Sequence, residues 1–260
     1  MSVYLVEINS SNKFKWRLTP WDAKVFGVNT LEVLDFICDN LDNGRKLIIE
    51  FLDVVRCKQI GFAYLRLPSN DRLARLLFEQ EGFYLAEISV ELKKTGLHKY
   101  NLKFPYVELL PLKADNIEAV AGVKEIAYDS FDFGRFHDDI LIDLHKSRLR
   151  YFNWIDDLLK HNVDAYYIKH RNEIVGFHFQ QVQGKCAELI LTGCRKGYST
   201  LAIPLWHSVF EKLKKSGVNE CTTMISASNS PIINLYTIFQ FKATRSLLGL
   251  HKHFISKHAI

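Results

Sequence analysis

Long hydrophobic runs are missing from the sequence. No stretch of its 260 residues approaches the roughly 18 consecutive apolar residues of a membrane-spanning helix. The N-terminal apolar segment is interrupted at Glu7, too early for a secretory signal peptide. Cysteine is scarce and scattered, and its five occurrences form no Cys-x-x-Cys pair. This scarcity disfavours a structural zinc site and predicts free thiols in a reducing compartment, which we take to be the cytoplasm.

Neither sign of charge dominates the chain. It carries 34 basic and 29 acidic residues, well interspersed, for a net charge of +5. A mild surplus of this kind is not the footprint of a nucleic-acid-binding protein, although it suits an anionic small ligand. Hydrophobic residues make up 48% of the sequence, which excludes a largely disordered chain. The length allows one large domain or two small ones.

Hydrophobic periodicity predicts a mixed α/β chain. Alternating segments predict strands at 26–33, 60–67, 83–92, 106–110, 165–169, 174–182, 187–191, 220–225 and from 241 onward. Helical spacing predicts helices at 47–59, 72–81, 115–127, 142–161, 200–215 and 231–239. The polar stretch after residue 92 predicts a linker, and 130–139 has neither periodicity and predicts a loop.

An internal repeat links the two halves of the chain. The predicted strand, turn, helix and strand at 63–90 recur at 221–248. In the first copy Leu77-Phe78 precedes an aromatic strand start, and in the second copy Leu235-Tyr236 does so. Matching element order and matching apolar positions together indicate a duplicated fold.

The segment 224–241 resembles the last motif of the GNAT (Gcn5-related) N-acyltransferases. The matching residues are Asn229, Leu235, Tyr236 and Phe241, whereas the usual glycine is replaced by Gln240. Segments 18–27 and 134–139 are similar to those of two-domain acyltransferases that act on the amino group of a dTDP-amino sugar, of the dTDP-fucosamine type. The resemblance implies two GNAT-like domains, a degenerate one at 1–98 and a complete one at 104–260 with a central mixed sheet flanked by helices.

The same resemblance implies a site for acyl-coenzyme A and no metal. In this fold, pantetheine lies along a splayed strand and the pyrophosphate lies on the N–H groups that open the next helix. The residues placed there are Leu191, Thr192, Gly193, Lys196, Gly197, Tyr198, Ser199, Thr200 and Asn229. The loop departs from the family pattern because hydroxyl residues stand where glycines are usual; Ser199 or Thr200 is expected to cap the helix.

Tyr236 is the predicted catalytic residue. A phenol is protonated at neutral pH and can donate to a thiolate leaving group. The equivalent residue of the first copy is Phe78, so we assign chemistry to the second copy only. The base for the acceptor amine stays open between Glu188, His178 with Gln180, the loop residues His137 and Asp138, and bulk water.

The loop at 131–139 is expected to meet the acceptor. The predicted substrate-binding residues are Arg135, Phe136, His137, Asp138 and Glu188. Arg135 suits a nucleotide diphosphate, Phe131, Phe133 or Phe136 suits a base or sugar face, and Asp138 or Asp139 suits an amine or hydroxyls. The alternative is an acidic, solvated loop over buried phenylalanines. The histidine-rich segment 251–258 is expected to be a solvated strand edge.

These features predict an N-acyltransferase that moves an acyl group, acetyl or larger, from acyl-coenzyme A to a nucleotide-linked amino deoxysugar for bacterial surface polysaccharide. The alternatives are a catalytically silent GNAT-fold binding module and an acyltransferase of another small amine or peptide. Neither nucleic acid nor membrane is an expected partner, and monomer and homodimer both stay open.

Overall fold

The computed structural model describes residues 2–161 and 163–254. In that part of the chain the strands are β1 (Tyr4–Asn9), β2 (Asn12–Leu18), β3 (Asn29–Ile37), β4 (Ile60–Pro68), β5 (Tyr84–Thr95), β6 (Leu110–Pro111), β7 (Asp164–His170), β8 (Glu173–Gln183), β9 (Cys186–Cys194), β10 (Glu220–Ser226) and β11 (Lys242–His253). The α-helices are α1 (Pro20–Phe26), α2 (Leu41–Cys57), α3 (Arg72–Gln80), α4 (Ile117–Asp129), α5 (Leu144–Lys160), α6 (Ala202–Lys215) and α7 (Ser230–Ile238).

The strands form one mixed sheet in the order β1-β2-β3-β4-β11-β5-β10-β9-β8-β7-β6. The last strand, β11, is inserted between β4 and β5 and pairs antiparallel with both. In turn, β5 pairs antiparallel with β10, with Ser89 opposite Ser226. Each half therefore contributes its final strand to the other half, and the backbone hydrogen bonds of the sheet run unbroken through the centre of the molecule.

The two halves repeat one arrangement of elements. In the first half β3, α2, β4, α3 and β5 follow one another, and in the second half β9, α6, β10, α7 and β11 do so. In each half the first two strands of the series are parallel and joined across a helix. The predicted mixed α/β class is confirmed by this sheet and its helices.

Helices cover both faces of the sheet. One core cluster packs α2 and α3 against the first half through Leu47, Phe51 and Phe78, all of them buried. A second packs α6 and α7 against the other half through Trp206 and Phe210. A third, under α4 and α5, lies on the opposite face of β8 and β9. Burial of these apolar stripes is the main stabilising contribution to the layers.

Several predicted boundaries are wrong. Phe26 ends α1 and does not begin a strand, because Pro20 opens a short helix that stops at Gly27 in the left-handed region. The β1–β2 hairpin has no counterpart among the predicted elements. Of the strand predicted at 106–110, only Leu110 pairs with β7, because the preceding chain crosses α6, where Ser208 Oγ accepts from Val107 N at 2.9 Å.

The expected solvated edge at the C-terminus is also wrong where the structure describes it. His251 lies in β11 at the centre of the sheet and is 0% exposed. Its Nδ1 is 2.7 Å from an oxygen of Asp139, a residue far away in sequence. His258 of the same segment lies outside the described residues. Among the residues that the structure describes, no helix is long and apolar enough to cross a membrane.

Candidate functional site

A wedge opens between the parallel strands β9 and β10. Their ladder runs from Cys186 opposite Glu220 to Glu188 opposite Thr222 and then stops. Beyond that point β9 continues to Cys194, and β10 continues to Ser226 while paired only with β5. The β10-facing edge of β9 is thus free of ladder partners over this length, which is what an extended ligand needs in order to bind like an added strand.

A β-bulge shapes the same stretch of β9. Phe179 is opposite Leu191 and Gln180 is opposite Leu189, so Ile190 has no opposing residue. As a result Leu189 packs towards α6, whereas Leu191 packs towards α4 and α5. Bulges of this kind bend a strand and redirect its side chains, and they are frequent beside active sites.

The turn after β9 leads directly into α6. Lys196, Gly197, Ser199 and Thr200 are exposed there, and Gly197 has a φ of 90°, which favours glycine. The expected helix cap is wrong: a 3₁₀ turn at Ser199–Leu201 precedes α6, and neither hydroxyl caps it. The N–H of Ala202, the first residue of α6, bonds the carbonyl of Ser199, and Pro204 has no N–H. The start of α6 is still the positive end of a helix dipole, which favours anions.

Lys196 and Tyr198 of this turn already have partners within the protein. Lys196 Nζ lies 3.5 Å from Asp132, and Tyr198 donates to Glu173 at 2.8 Å. The Gly193 Cα lies so close to Phe177 that an added Cβ would stand 2.9 Å from the ring, so this end of β9 has no room for a side chain there. Leu191 is buried, while Thr192 and Gly193 are half-buried at the wedge.

Tyr236 lies on α7 and faces α6. It is 3% exposed and packs against Trp206 and Phe241, with ring centroids 5.1 and 4.8 Å away. Burial raises the pKa of Tyr236 well above its usual value, an effect that the neighbouring Thr223 hydroxyl partly opposes. Thr223 itself donates to the carbonyl of Leu189 at 2.9 Å, which places this group of side chains against the wedge.

Two other residues singled out in the sequence have clear local roles. Asn229 is the N-cap of α7, where its side-chain oxygen accepts from Ile232 N at 3.2 Å. This bond fixes the start of the helix that carries Tyr236. Glu188 is exposed on β9, at the point where the parallel ladder ends.

The loop at 131–139 docks onto the first half of the chain. Arg135 bonds Glu32 at 3.3 Å and lies over the ring of Tyr64 at 4.3 Å. Phe136 is 6% exposed and packs edge-on against Phe26 at 5.2 Å. Arg135 and Phe136, two of the five side chains predicted to bind substrate, are thus engaged with protein groups.

Asp139 anchors the same loop to the exchanged strand. Its carboxylate accepts from Tyr84 at 2.7 Å and from His251 at 2.7 Å. Although burial raises the pKa of Asp139, hydrogen bonds from His251 and its neighbours prevail and hold that pKa well below the usual range. His137 is different: burial lowers its pKa, and neither ring nitrogen has a hydrogen-bond partner among the described residues.

Asp138 is an exposed acid of the loop, as Asp132 is, and it lies at the mouth of the wedge. It accepts from Ser226 Oγ and Ser228 Oγ, each at 3.1 Å. Because Ser226 ends β10, these bonds join the loop to the strand that borders the wedge. An amine entering from this side would meet a carboxylate and two hydroxyls.

A polar cluster that the sequence did not reveal continues from this point across the sheet. Arg66 donates to Glu87 at 3.2 Å and to Ser89 at 3.1 Å, and Ser89 donates to Glu87 at 2.8 Å. Gly249 of β11 stands between Arg66 and Glu87 in register, and with no side chain it lets the two groups meet. Ser89 is directly opposite Ser226, so the cluster borders the mouth of the wedge.

The corresponding turn of the first half carries the opposite charge. Asp39 and Asp42 lie at the start of α2, where the second half has Arg195 and Lys196. Hydrogen bonds from the Asn43 side chain hold the pKa of Asp39 below its usual value. An acidic helix start repels phosphate, so the first half lacks the electrostatic conditions for a pyrophosphate.

No family model matches the chain. The spore coat polysaccharide biosynthesis protein SpsD of Bacillus subtilis (strain 168) is 22% identical over 239 residues, or 89% of this chain and 80% of that protein.

Solved structures match over almost the whole length. A Gcn5-related N-acetyltransferase from Sphaerobacter thermophilus has a TM-score of 0.64 at 12% identity over 95% of this chain and 82% of its own. A tandem GNAT protein from the clavulanic acid biosynthesis pathway has a TM-score of 0.63 at 13% identity over 96% of this chain and 83% of its own. A Gcn5-related N-acetyltransferase from Kribbella flavida has a TM-score of 0.61 at 12% identity over 96% and 90%. The chain has the GNAT fold in its tandem arrangement, as the sequence predicts.

Proposed function

We propose that the protein is an acyl-coenzyme A-dependent N-acyltransferase whose chemistry takes place in the second half. The observation that carries this proposal is the coincidence of three features at one wedge. They are a bulged strand with a free edge, the positive end of the α6 dipole preceded by Lys196, and a buried tyrosine. The first half repeats the strands but has acids at the helix start and Phe78 in place of Tyr236.

The residues of the wedge suit the parts of the coenzyme. Lys196, Gly197, Tyr198, Ser199 and Thr200 would hold the pyrophosphate at the start of α6. The free edge at Leu191, Thr192 and Gly193 would hold pantetheine by backbone hydrogen bonds. Asn229 acts indirectly, by fixing the start of α7.

The transfer itself needs few protein groups. The acceptor ammonium loses one proton to solvent, and the neutral amine attacks the thioester carbonyl. As the carbon–sulfur bond breaks and the amide forms, Tyr236 donates its proton to the departing thiolate. The nitrogen releases its second proton to solvent, and Tyr236 is reprotonated from solvent. Asp138 and Glu87, with the hydroxyls around them, suit an incoming ammonium group and its sugar hydroxyls. We include His137 and Glu188 among the acceptor-side residues, and we assign no single base.

We further propose a nucleotide-linked amino deoxysugar as the acceptor, with dTDP as the nucleotide. The similarity to a protein of polysaccharide biosynthesis supports a sugar. Binding of a diphosphate by Arg135 would require that it exchange Glu32 for the ligand, and Phe136 would have to leave its packed position to stack on a base. An acyl-coenzyme A donor would place the reaction in the cytoplasm.

Calorimetric titration with acetyl-coenzyme A tests the proposal. We expect saturable binding that Lys196→Glu weakens, while Lys99→Glu, on an exposed lysine far from the wedge, leaves it unchanged. Absence of binding at millimolar ligand would leave a silent module of the same fold, an outcome consistent with the internal pairing of Lys196 and Tyr198.

A thiol-release assay then identifies the acceptor and the acyl group. The panel contains dTDP- and UDP-amino sugars, a polyamine, an aminoglycoside and a peptide amine, each with acetyl-, propionyl- and hydroxybutyryl-coenzyme A. Preference for a dTDP-amino sugar supports the finer proposal, and preference for a polyamine or peptide would replace it.

A further inference from the structure

A buried chain of hydrogen bonds runs from the surface of β7 to the wedge. Asp164 Oδ2 accepts from Gln180 Nε2 at 3.3 Å, and Gln180 Oε1 lies 3.0 Å from His178 Nε2. His178 Nδ1 then lies 2.7 Å from the hydroxyl of Thr192. His178 and Gln180 are 0% and 2% exposed, and His178 packs against Trp206 at 5.3 Å.

The chemistry of each group fixes the direction of this chain. A carboxylate oxygen accepts, so the Gln180 amide N–H₂ faces Asp164 and its carbonyl faces His178. The carbonyl also accepts, so His178 Nε2 must carry a proton. Burial lowers the pKa of His178 to about 4, and a neutral imidazole with Nε2 protonated has a bare Nδ1 that accepts. Thr192 must therefore donate its only hydroxyl proton inward.

With its proton committed, the Thr192 oxygen can only accept from a ligand. Thr192 is half-buried at the part of β9 whose β10-facing edge is free of ladder partners. Pantetheine carries two amide N–H groups, which are donors that lie along the strand edge in the proposed complex. A hydroxyl held as an acceptor forms a hydrogen bond with such a donor, and it disfavours binding of an acceptor group at the same place.

We propose that Asp164, Gln180 and His178 are positioning residues that hold the Thr192 hydroxyl as a hydrogen-bond acceptor for a pantetheine amide N–H. This inference rests on the proposed function, because it assigns a specific contact to the same coenzyme. Serine at position 192 would preserve the contact, whereas valine has nearly the shape of threonine but no hydroxyl.

The first test compares two ligands by calorimetry on the full chain. Acetyl-coenzyme A contains pantetheine, and adenosine 3′,5′-bisphosphate contains only the nucleotide end. We expect Thr192→Val to weaken acetyl-coenzyme A binding about two- to tenfold, the range of one net hydrogen bond, and to leave the bisphosphate unchanged. Thr192→Ser should bind both ligands as the wild type does.

A second variant tests the relay itself. Gln180→Leu removes the acceptor that fixes the His178 tautomer, so acetyl-coenzyme A should again weaken while the bisphosphate does not. The ¹⁵N chemical shifts of the His178 ring should show the Nε2-protonated tautomer at pH 7 in the wild type. An Nδ1-protonated or charged ring would overturn the proposal, whatever the binding data show.

The remaining outcomes separate this inference from the proposed function. If wild-type protein binds acetyl-coenzyme A and Thr192→Val binds it equally well, the inference fails and the function stands. If either variant weakens both ligands equally, the relay serves the fold only and the inference fails. If wild-type protein binds neither ligand, the inference and the proposed function fail together.

Discussion

We expect replacement of Tyr236 by phenylalanine to slow the proposed reaction while leaving the fold almost unchanged. The ring is buried between Trp206 and Phe241, and the substitution keeps its volume and its contacts. Only the hydroxyl is lost, which costs roughly 0.5–1.5 kcal/mol of folding free energy as one net hydrogen bond. In a chain of this size that corresponds to a decrease of a few degrees in Tm, about 2–4 °C per kcal/mol.

The effect on turnover should be far larger. A general acid contributes about 10²–10⁴ in rate, and the proton is needed only as the carbon–sulfur bond breaks, so kcat should fall while acetyl-coenzyme A binding holds. Because burial raises the pKa of Tyr236 above its usual value, the wild-type phenol stays protonated from pH 5 to 9. If the pH profile of kcat falls towards high pH within that range, the fall should therefore not be due to ionisation of Tyr236.

The controls for this experiment follow from the structure. Tyr106 is 62% exposed, so Tyr106→Phe matches the chemistry of the change and should have no effect. Phe78→Tyr is a poor control, because Phe78 is fully buried in an aromatic cluster and a hydroxyl there would go unpaired. If Tyr236→Phe keeps more than about half of the wild-type kcat with chemistry rate-limiting, the role assigned to Tyr236 is refuted.

Three further predictions concern stability. Gln240 has a φ of 61°, a left-handed conformation, where the first half has Gly82. Gln240→Gly should therefore raise the free energy of unfolding, measured by urea titration, by about 0.5–1 kcal/mol, and Gly82→Gln should lower it. Equal stabilities of variant and wild type would contradict this. Because His178 has a pKa of about 4 in the fold against about 6.5 unfolded, the folded state binds fewer protons between those values. The free energy of unfolding should then fall by about 3 kcal/mol as pH drops from 6.5 to 4, and His178→Gln should remove that part of the slope. A fragment of residues 104–260 lacks β5, the shared partner of β10 and β11, so it should show no cooperative thermal transition by circular dichroism until residues 1–103 are supplied; cooperative unfolding of the fragment alone would contradict this.

Local signals in the sequence were sufficient for much of the fold. Helix α3 follows a turn with Asp71 as its cap, and α7 follows Asn229 in the same way, so both could be predicted with their strands. The wedge could be placed near Leu191 only through a family resemblance, because the bulge at Ile190 depends on pairing with β8. The alternating pattern of a strand does not indicate which residue will form a β-bulge.

Contacts through the exchanged strand could not be predicted. Glu87 lies in a strand of alternating residues and is charged, yet it is only 5% exposed. Arg66 of β4 reaches it across Gly249, and Ser89 of its own strand donates to it. His251 is expected at a solvated strand edge, yet it is buried and its Nδ1 lies 2.7 Å from the carboxylate of Asp139. Both placements require β11 to leave the strands nearest to it in sequence and to pair with β4, and hydrophobic periodicity is the same whichever partner a strand chooses.

Comparison of the two repeated halves shows which features they share and which differ. The first half keeps the parallel strands and even the bulge, since Leu34 of β3 has no opposing residue in β2. Its helix start is capped instead: the side chain of Asn40 accepts from Asn43 N at 2.9 Å. Acids occupy the turn, and Phe78 has no proton to give. The two halves thus share one order of elements but differ in the side chains at the ends of their strands, and these side chains, not the fold, are the basis for proposing that the coenzyme binds in the second half.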